Sequence, residues 1–317
     1  MIPKKPLAKI PNYIKIFSEK NYDLRIDGIC SLKNIVSISE LVNNKNIDKS
    51  ESSIRRYLRE NIVPTNLLKY LLKKKRDYDL LFSNFKEIKG AANSKSVILP
   101  KYLSPELAYF IGALRDGSLP KPYNNLYEVY ISQKNREWLQ NIIMPIIQNQ
   151  FGIKELKIDA ATDRTLRIRF YSKPVYYFIK EVFDHPTGKG NWDLPKIIVD
   201  SPLEIKRYFL CGFFDAEGEV PHIEKYIKGE FKTKPSKRLR IHQSWSGDLC
   251  SVLLKMKKML ENDFQIKCGN ILRKKEPHGT MDSFDLNLSG DNAYKFYKEI
   301  GSFHPDKSKR LNLLFWE

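Results

Sequence analysis

The sequence predicts an α+β protein in which two pseudo-symmetric α-β-β-α-β-β-α units follow an all-α head. Three observations carry that expectation. The stretch from residue 96 onward repeats its pattern at a spacing of about one hundred residues, too long for a solenoid and right for two small domains. Within each copy, apolar residues alternate with cationic and polar ones, the period of a half-buried strand. Before residue 96 the pattern is helical and broken by short polar turns. The expected boundaries are 1–95, 96–200 and 201–317.

Composition narrows the function. The 317 residues carry 55 Lys+Arg against 37 Asp+Glu, a net charge of +18, with 42% hydrophobic and 12% aromatic residues. That supports packed cores and excludes a disordered basic tail. A surplus of cations on a folded chain points to a polyanion, nucleic acid first. No apolar run approaches the length needed to span a bilayer, and the opening residues lack a signal-peptide core. The four cysteines, Cys30, Cys211, Cys250 and Cys268, form no C-x-x-C pair. A zinc site or disulfide framework is therefore not expected, and a reducing cytoplasmic setting is.

In the head, residues 1–99 hold 20 Lys+Arg against 10 Asp+Glu, a net +10. Ser37-Ile38-Ser39-Glu40-Leu41-Val42 reads as a short amphipathic helix ended by Asn43-Asn44. A second helix runs through Ile54, Tyr57 and Leu58, an i, i+3, i+4 stripe capped by Asp48 or Ser50. Asn61-Ile62-Val63-Pro64 stops it. Short helix, turn and capped basic helix resembles a repressor-type helix-turn-helix, whose second helix enters the major groove. That resemblance would turn Ser50, Glu51, Ser52, Arg55 and Arg56 toward DNA, with Arg59 beside them. A small helical bundle that only packs on the rest fits the same pattern. Asn93-Ser94-Lys95-Ser96 reads as the linker out of the head.

The first unit opens with Ser104-Pro105-Glu106 capping the apolar helix Leu107 to Leu114, which ends in Arg115-Asp116-Gly117. Tyr127 to Gln133 alternates as a strand, and a helix follows from Asn135 to Gln150. Strands near Leu156 to Asp159 and Thr165 to Phe170 lead to a closing helix at Lys173-Pro174. The second unit repeats the order. Ser201-Pro202 opens a helix ending in Asp215-Ala216-Glu217-Gly218, strand Arg238 to Gln243 follows, then a helix from about Gly247 to Leu260. Strands near Ile271 and Phe284 to Leu288 and a last helix near Asp291 complete it. Arg167, Arg169, Lys232, Lys237, Arg238 and Arg240 are expected on the strands, where cations, Tyr and Gln suit phosphates and base edges.

Gly212-Phe213-Phe214-Asp215-Ala216-Glu217-Gly218 resembles the signature of the LAGLIDADG homing endonucleases. Small residues four apart let two such helices meet backbone to backbone, with the last acid of each at the bottom. The resemblance, which covers about Ser104 to the C-terminus, implies two repeats forming a DNA-binding saddle. It implies a site-specific, Mg²⁺-dependent DNA endonuclease in a single chain, with Asp116 and Glu217 as metal ligands. It also implies Gln133 and Gln243 at strand ends near the metals and Lys173 near the scissile phosphate. The second unit has Ser289-Gly290-Asp291 where that Lys would stand. The first helix departs from the pattern. Gly112 and Asp116 are four apart against five for Gly212 and Glu217, so aligning the acids would bring Arg115 to the tight crossing. Double-stranded DNA is the expected partner, with intron RNA second and no membrane. The competing expectation is a non-cleaving DNA-binding regulator or an RNA-splicing helper on the same scaffold.

Overall fold

A computed structural model describes residues 8–27, 50–60, 62–72, 75–90, 94–114, 118–161, 165–188, 190–275 and 281–316. The head begins with β1 (Ala8–Lys9), α1 (Tyr13–Glu19) and β2 (Arg25–Asp27), followed by α2 (Glu51–Arg59) and β3 (Ile62–Pro64). Helices α3 (Thr65–Leu71) and α4 (Lys75–Asn84) and strand β4 (Glu87–Lys89) complete it. The all-α head is thereby corrected. Strands β3, β2 and β4 form an antiparallel sheet in that order, with Ile26 between Val63 and Ile88. These strands are three residues long, too short to reveal a period, yet Ile26, Val63 and Ile88 are all buried. What reads as a helix stop at Ile62-Val63-Pro64 is the edge strand of that sheet. The helix expected over Ser37 to Val42 lies outside the described residues.

The head is docked on the first unit. Its strand β1 pairs with β5 (Tyr102–Leu103), just ahead of that unit's first helix. Tyr13 meets Phe178 edge-on at 5.2 Å, and Tyr22 stacks on Tyr177 at 3.6 Å. Lys20 and Tyr22 both hydrogen-bond Glu181. Burial alone would raise the Glu181 carboxyl, but those two hydrogen bonds and the nearby Lys180 outweigh it and hold it below the ordinary value.

In the first unit α5 (Pro105–Ala113) leads to β6 (Glu128–Gln133), then to α6 (Arg136–Trp138). A π-helical turn over Leu139–Ile143 joins α6 to α7 (Met144–Phe151). Pro145 has no N–H to return to the preceding turn, which accounts for the widened turn there. Strands β7 (Lys157–Ala160) and β8 (Leu166–Tyr171) and helix α8 (Lys173–Val182) follow. The sheet order is β6-β8-β7, three strands among the described residues where four were expected.

A short helix α9 (Lys196–Val199) leads into the second unit, which opens on α10 (Leu203–Glu217). Strand β9 (Gly218–Glu219), helix α11 (Ile223–Ile227) and strand β10 (Arg238–Trp245) come next. Helix α12 (Ser251–Asp263), strands β11 (Ile271–Lys274) and β12 (Asp282–Ser289), and helix α13 (Gly290–Glu299) complete the repeat. Its sheet runs β11-β12-β10-β9. A further helix, α14 (Pro305–Phe315), was not expected. Buried residues of head and both units form one continuous hydrophobic cluster. No helix among the described residues is long and apolar enough to cross a membrane.

Candidate nucleic-acid interface and acid-bearing helices

The centre of the molecule is the crossing of α5 and α10, the most extensive helix–helix contact in the described structure. A Cβ on Gly112 would overlap the carbonyl oxygen of Phe209, and one on Gly212 would overlap that of Tyr109. The backbones touch, and only glycine fits at either place. This settles the register question left by the unequal spacing. Gly112, not Ile111, stands opposite Gly212. The conflict with the acid spacing is removed by the backbone, because α5 leaves the helix at Leu114 (ψ 120°) while α10 continues to Glu217. A count of 100° per residue therefore does not apply beyond Ala113. Arg115 and Asp116 lie outside the described residues.

The two acids of α10 have different environments. Asp215 is fully buried and accepts hydrogen bonds from Tyr109 Oη (2.6 Å), the Phe303 N–H (2.9 Å), the His304 N–H (3.0 Å) and Ser302 Oγ. Trp138 Nε1 donates in turn to Tyr109 Oη at 2.7 Å. Burial raises the Asp215 carboxyl from its ordinary value, against the pull of Ser302, Tyr109 and the Lys307 charge. It ties α5, α10 and the segment before α14 together, and its lone pairs are committed. Glu217 is half-buried at the last position of α10, where the chain passes into β9. Unlike Asp215, it is only partly buried. No cluster of three metal-ligating residues occurs among the described residues, and the second carboxylate expected, Asp116, is not among them.

Each sheet has an open polar face. On the first, Tyr130 faces Arg169 across β6–β8 and Ser132 faces Arg167. Arg167 donates to Ser132 Oγ at 3.0 Å and lies 4.3 Å over the Tyr130 ring; Arg169 pairs with Asp159 at 3.2 Å. On the second, Arg238 donates to Asn287 Oδ1 at 3.0 Å, and Arg240 bonds Glu219 and lies 3.3 Å from Asp285. Lys232 and Lys237 are not on a strand. They lie in the exposed segment before β10, with Lys237 5.8 Å from the Phe315 ring.

Asp285 is a residue that sequence reasoning missed. Only 2% exposed, it receives Lys274 Nζ at 2.8 Å, His242 Nδ1 at 3.0 Å and Arg240. Burial would raise its carboxyl, but the Lys274 and His242 hydrogen bonds and the Arg240 charge overcome that and lower it. One sunken anion thus holds three cation-forming side chains from β10 and β11 on the open face. The available signal was the polar Asp285 and Asn287 alternating with Phe284, Leu286 and Leu288 in a strand otherwise read for its apolar face.

The remaining expected site residues separate. Gln133 is half-buried at the end of β6, its Oε1 accepting from the Lys134 N–H at 2.8 Å. Gln243 is 3% exposed on the core face of β10, and its Nε2 donates to the Ser244 carbonyl at 3.0 Å. Lys173 donates to the Asp23 carbonyl at 3.2 Å and faces the Tyr127 ring at 5.4 Å, in a groove between head and first sheet. The β6–β8 register sets Glu128 opposite Tyr171 and Gln133 opposite Leu166. Lys173 is therefore near the far end of the strand pair, roughly 17 Å along it from Gln133. In the head, Ser50 caps α2 by accepting from the Ser53 N–H at 3.3 Å, and Glu51 pairs with Arg55 Nε at 2.7 Å. Ser52, Arg55, Arg56 and Arg59 are exposed along this helix.

No family model matches the chain. Over 213 residues, 66% of this chain and 86% of the relative, it is 27% identical to the homing endonuclease I-ApeI of Aeropyrum pernix. A stretch of 219 residues, 68% of this chain, is 26% identical to 16% of the probable translation initiation factor IF-2 of Methanocaldococcus jannaschii. Among solved structures, I-DmoI in complex with DNA and Ca aligns over 67% of this chain and 98% of that one. The TM-score is 0.46 at 21% identity. Two helices pressed together at glycines, an acid at the end of the second and the 27% identity to I-ApeI all agree with the resemblance of the motif to the LAGLIDADG homing endonucleases.

Proposed function

We propose that this protein is a site-specific double-strand DNA endonuclease that hydrolyses phosphodiester bonds with divalent metal, Mg²⁺ being the ion expected. The observation that carries the reading is the α5–α10 crossing, where backbone contact at Gly112 and Gly212 brings the ends of two helices together between two cation-bearing sheets. Glu217 and Asp116 would hold the metal, which would supply the positive charge that activates water and stabilises the phosphorane-like transition state. The chain's own contribution is positioning. Arg167, Arg169, Arg238, Arg240 and the Asp285-held Lys274 and His242 line faces suited to phosphates and base edges. Gln133 at the end of β6 is the polar residue suited to orienting water, while the position of Lys173 suits a DNA contact in the head groove better than the scissile phosphate.

Residues 1–95 form the DNA-binding head in this reading, residues 96–200 the first repeat and residues 201–317 the second. Exposed Ser52, Arg55, Arg56 and Arg59 on α2 give the head its grip. A single chain carries both acids, so a monomer suffices. The test is incubation of the purified protein with Mg²⁺ or Mn²⁺ and a library of duplex sites. Specific double-strand cuts that disappear in Glu217→Gln are expected. Tight, sequence-specific binding without cutting in any divalent metal would refute the endonuclease reading and leave the regulator.

A further inference from the structure

The second repeat lacks the lysine expected at the end of its last strand; Ser289 and Gly290 stand there. The structure brings an ammonium to the acid-bearing helix from elsewhere. Lys307, in the first turn of α14, donates to the carbonyls of Phe214 and Asp215, both at 2.8 Å, and lies 5.5 Å from the Phe214 ring. Those carbonyls belong to the last turn of α10, where the helix runs out of N–H groups four residues ahead to meet every carbonyl. The Phe214 carbonyl also accepts from the Gly218 N–H, so Glu217 sits inside the loop that these bonds close. A cation at a helix C-terminus also opposes the negative end of the helix dipole.

Three further contacts hold α14 in place. Asp215 binds the Phe303 and His304 N–H groups, Asn135 donates to Asp306 at 2.9 Å, and Arg310 pairs with Glu224 at 3.1 Å. Lys307 also lines a cavity of about 400 Å³ together with Gln133, His304 and Arg310. The His304 side chain is buried, and its Nδ1 has no hydrogen-bond partner among the described residues. Among the described residues no side chain bonds the last carbonyls of α5, which ends at Ala113.

We propose that Lys307 is a positioning residue: from the additional helix that follows the expected elements of the second repeat, it fixes the last turn of α10 and thereby the orientation of Glu217. The proposal rests on the endonuclease reading for its catalytic consequence, but the positioning itself can be measured without cleavage. Two of the three ammonium donors go to backbone carbonyls, the use expected of a clamp rather than of a phosphate ligand.

The experiment compares the unaltered protein with Lys307→Met and Lys307→Arg. Single-turnover cleavage at saturating DNA and Mn²⁺ is expected to fall about 10- to 100-fold in Lys307→Met, the scale of a small misplacement of a reacting group. DNA affinity in Ca²⁺ should stay within about twofold, because the clamp faces the helix end rather than the phosphates. Lys307→Arg keeps a cationic donor and should recover most of the rate. Hydrogen exchange at the Ala216, Glu217 and Gly218 amides should quicken in Lys307→Met and return toward normal in Lys307→Arg. Unchanged exchange at these amides overturns the proposal. So does an unchanged cleavage rate, or a parallel loss of binding and cutting that Arg does not rescue. Failure of the unaltered protein to cut any site sinks the endonuclease reading instead, and the exchange result still decides the clamp.

Discussion

Acidification should loosen the anchorage of the C-terminal helix through one imidazole. His304 packs beside Trp138 with ring centroids 5.7 Å apart and is 5% exposed. Burial lowers its pKa from 6.5 to about 4, the Lys307 and Arg310 charges act in the same direction, and Asp306 opposes them. A folded-state value below the unfolded one means that the unfolded chain binds the proton more readily. Stability from this group is therefore complete above pH 6.5 and is lost as pH falls toward about 4. At ~1.4 kcal/mol per pH unit spanned, the window is worth about 3 kcal/mol. The assay is urea denaturation of the unaltered protein and His304→Gln at pH 7, 5.5 and 4. Other titrating groups affect both proteins alike, so the difference isolates His304. Between pH 7 and pH 4 the unaltered protein should lose about 3 kcal/mol more than the variant. Parallel stability curves for the two would refute the assignment of a buried neutral imidazole.

Three further outcomes follow from the geometry. Gly212→Ala forces a methyl group against the Tyr109 carbonyl, so the helices must part; a loss of about 1–3 kcal/mol is expected by denaturation, with a larger proportional loss of cleavage. Asp285→Asn removes the carboxylate charge that Arg240 and Lys274 face and that His242 hydrogen-bonds. Stability should fall by about 1–3 kcal/mol, and the slope of log affinity against log salt should steepen by about one, read by fluorescence anisotropy over a salt series. Glu181→Gln should abolish an acid-induced release of the head. That release is expected in the unaltered protein as pH falls below the ordinary Glu value of 4.5, because a carboxyl held low in the folded state loses its contribution on protonation. Hydrogen exchange at residues 13–19 would report it.

What the sequence disclosed was whatever has a period or a signature. Helix α10 was legible because its glycine, acid and terminal glycine sit within seven residues, and β6, β8, β10 and β12 because their apolar residues alternate. The head sheet was hidden by brevity, since strands of three residues have no measurable period. The end of α5 at Ala113 lies one residue from the expected helix Leu107 to Leu114. The separation of Lys173 from Gln133 required the strand register, which couples positions 33 residues apart only after Glu128 has paired with Tyr171. Lys307 had no local signal at all, because its partners are more than ninety residues away in the chain.

The direct backbone contact at Gly112 and Gly212 also bears on what can vary in such an enzyme. Side chains on the sheet faces can change one by one, and with them the bases that are read. The separation of the two helix ends cannot follow, because no residue with a Cβ fits between them. Under the proposed function, that separation is the ruler for the stagger between the two cut strands. Targets can drift while the length of the overhang stays the same.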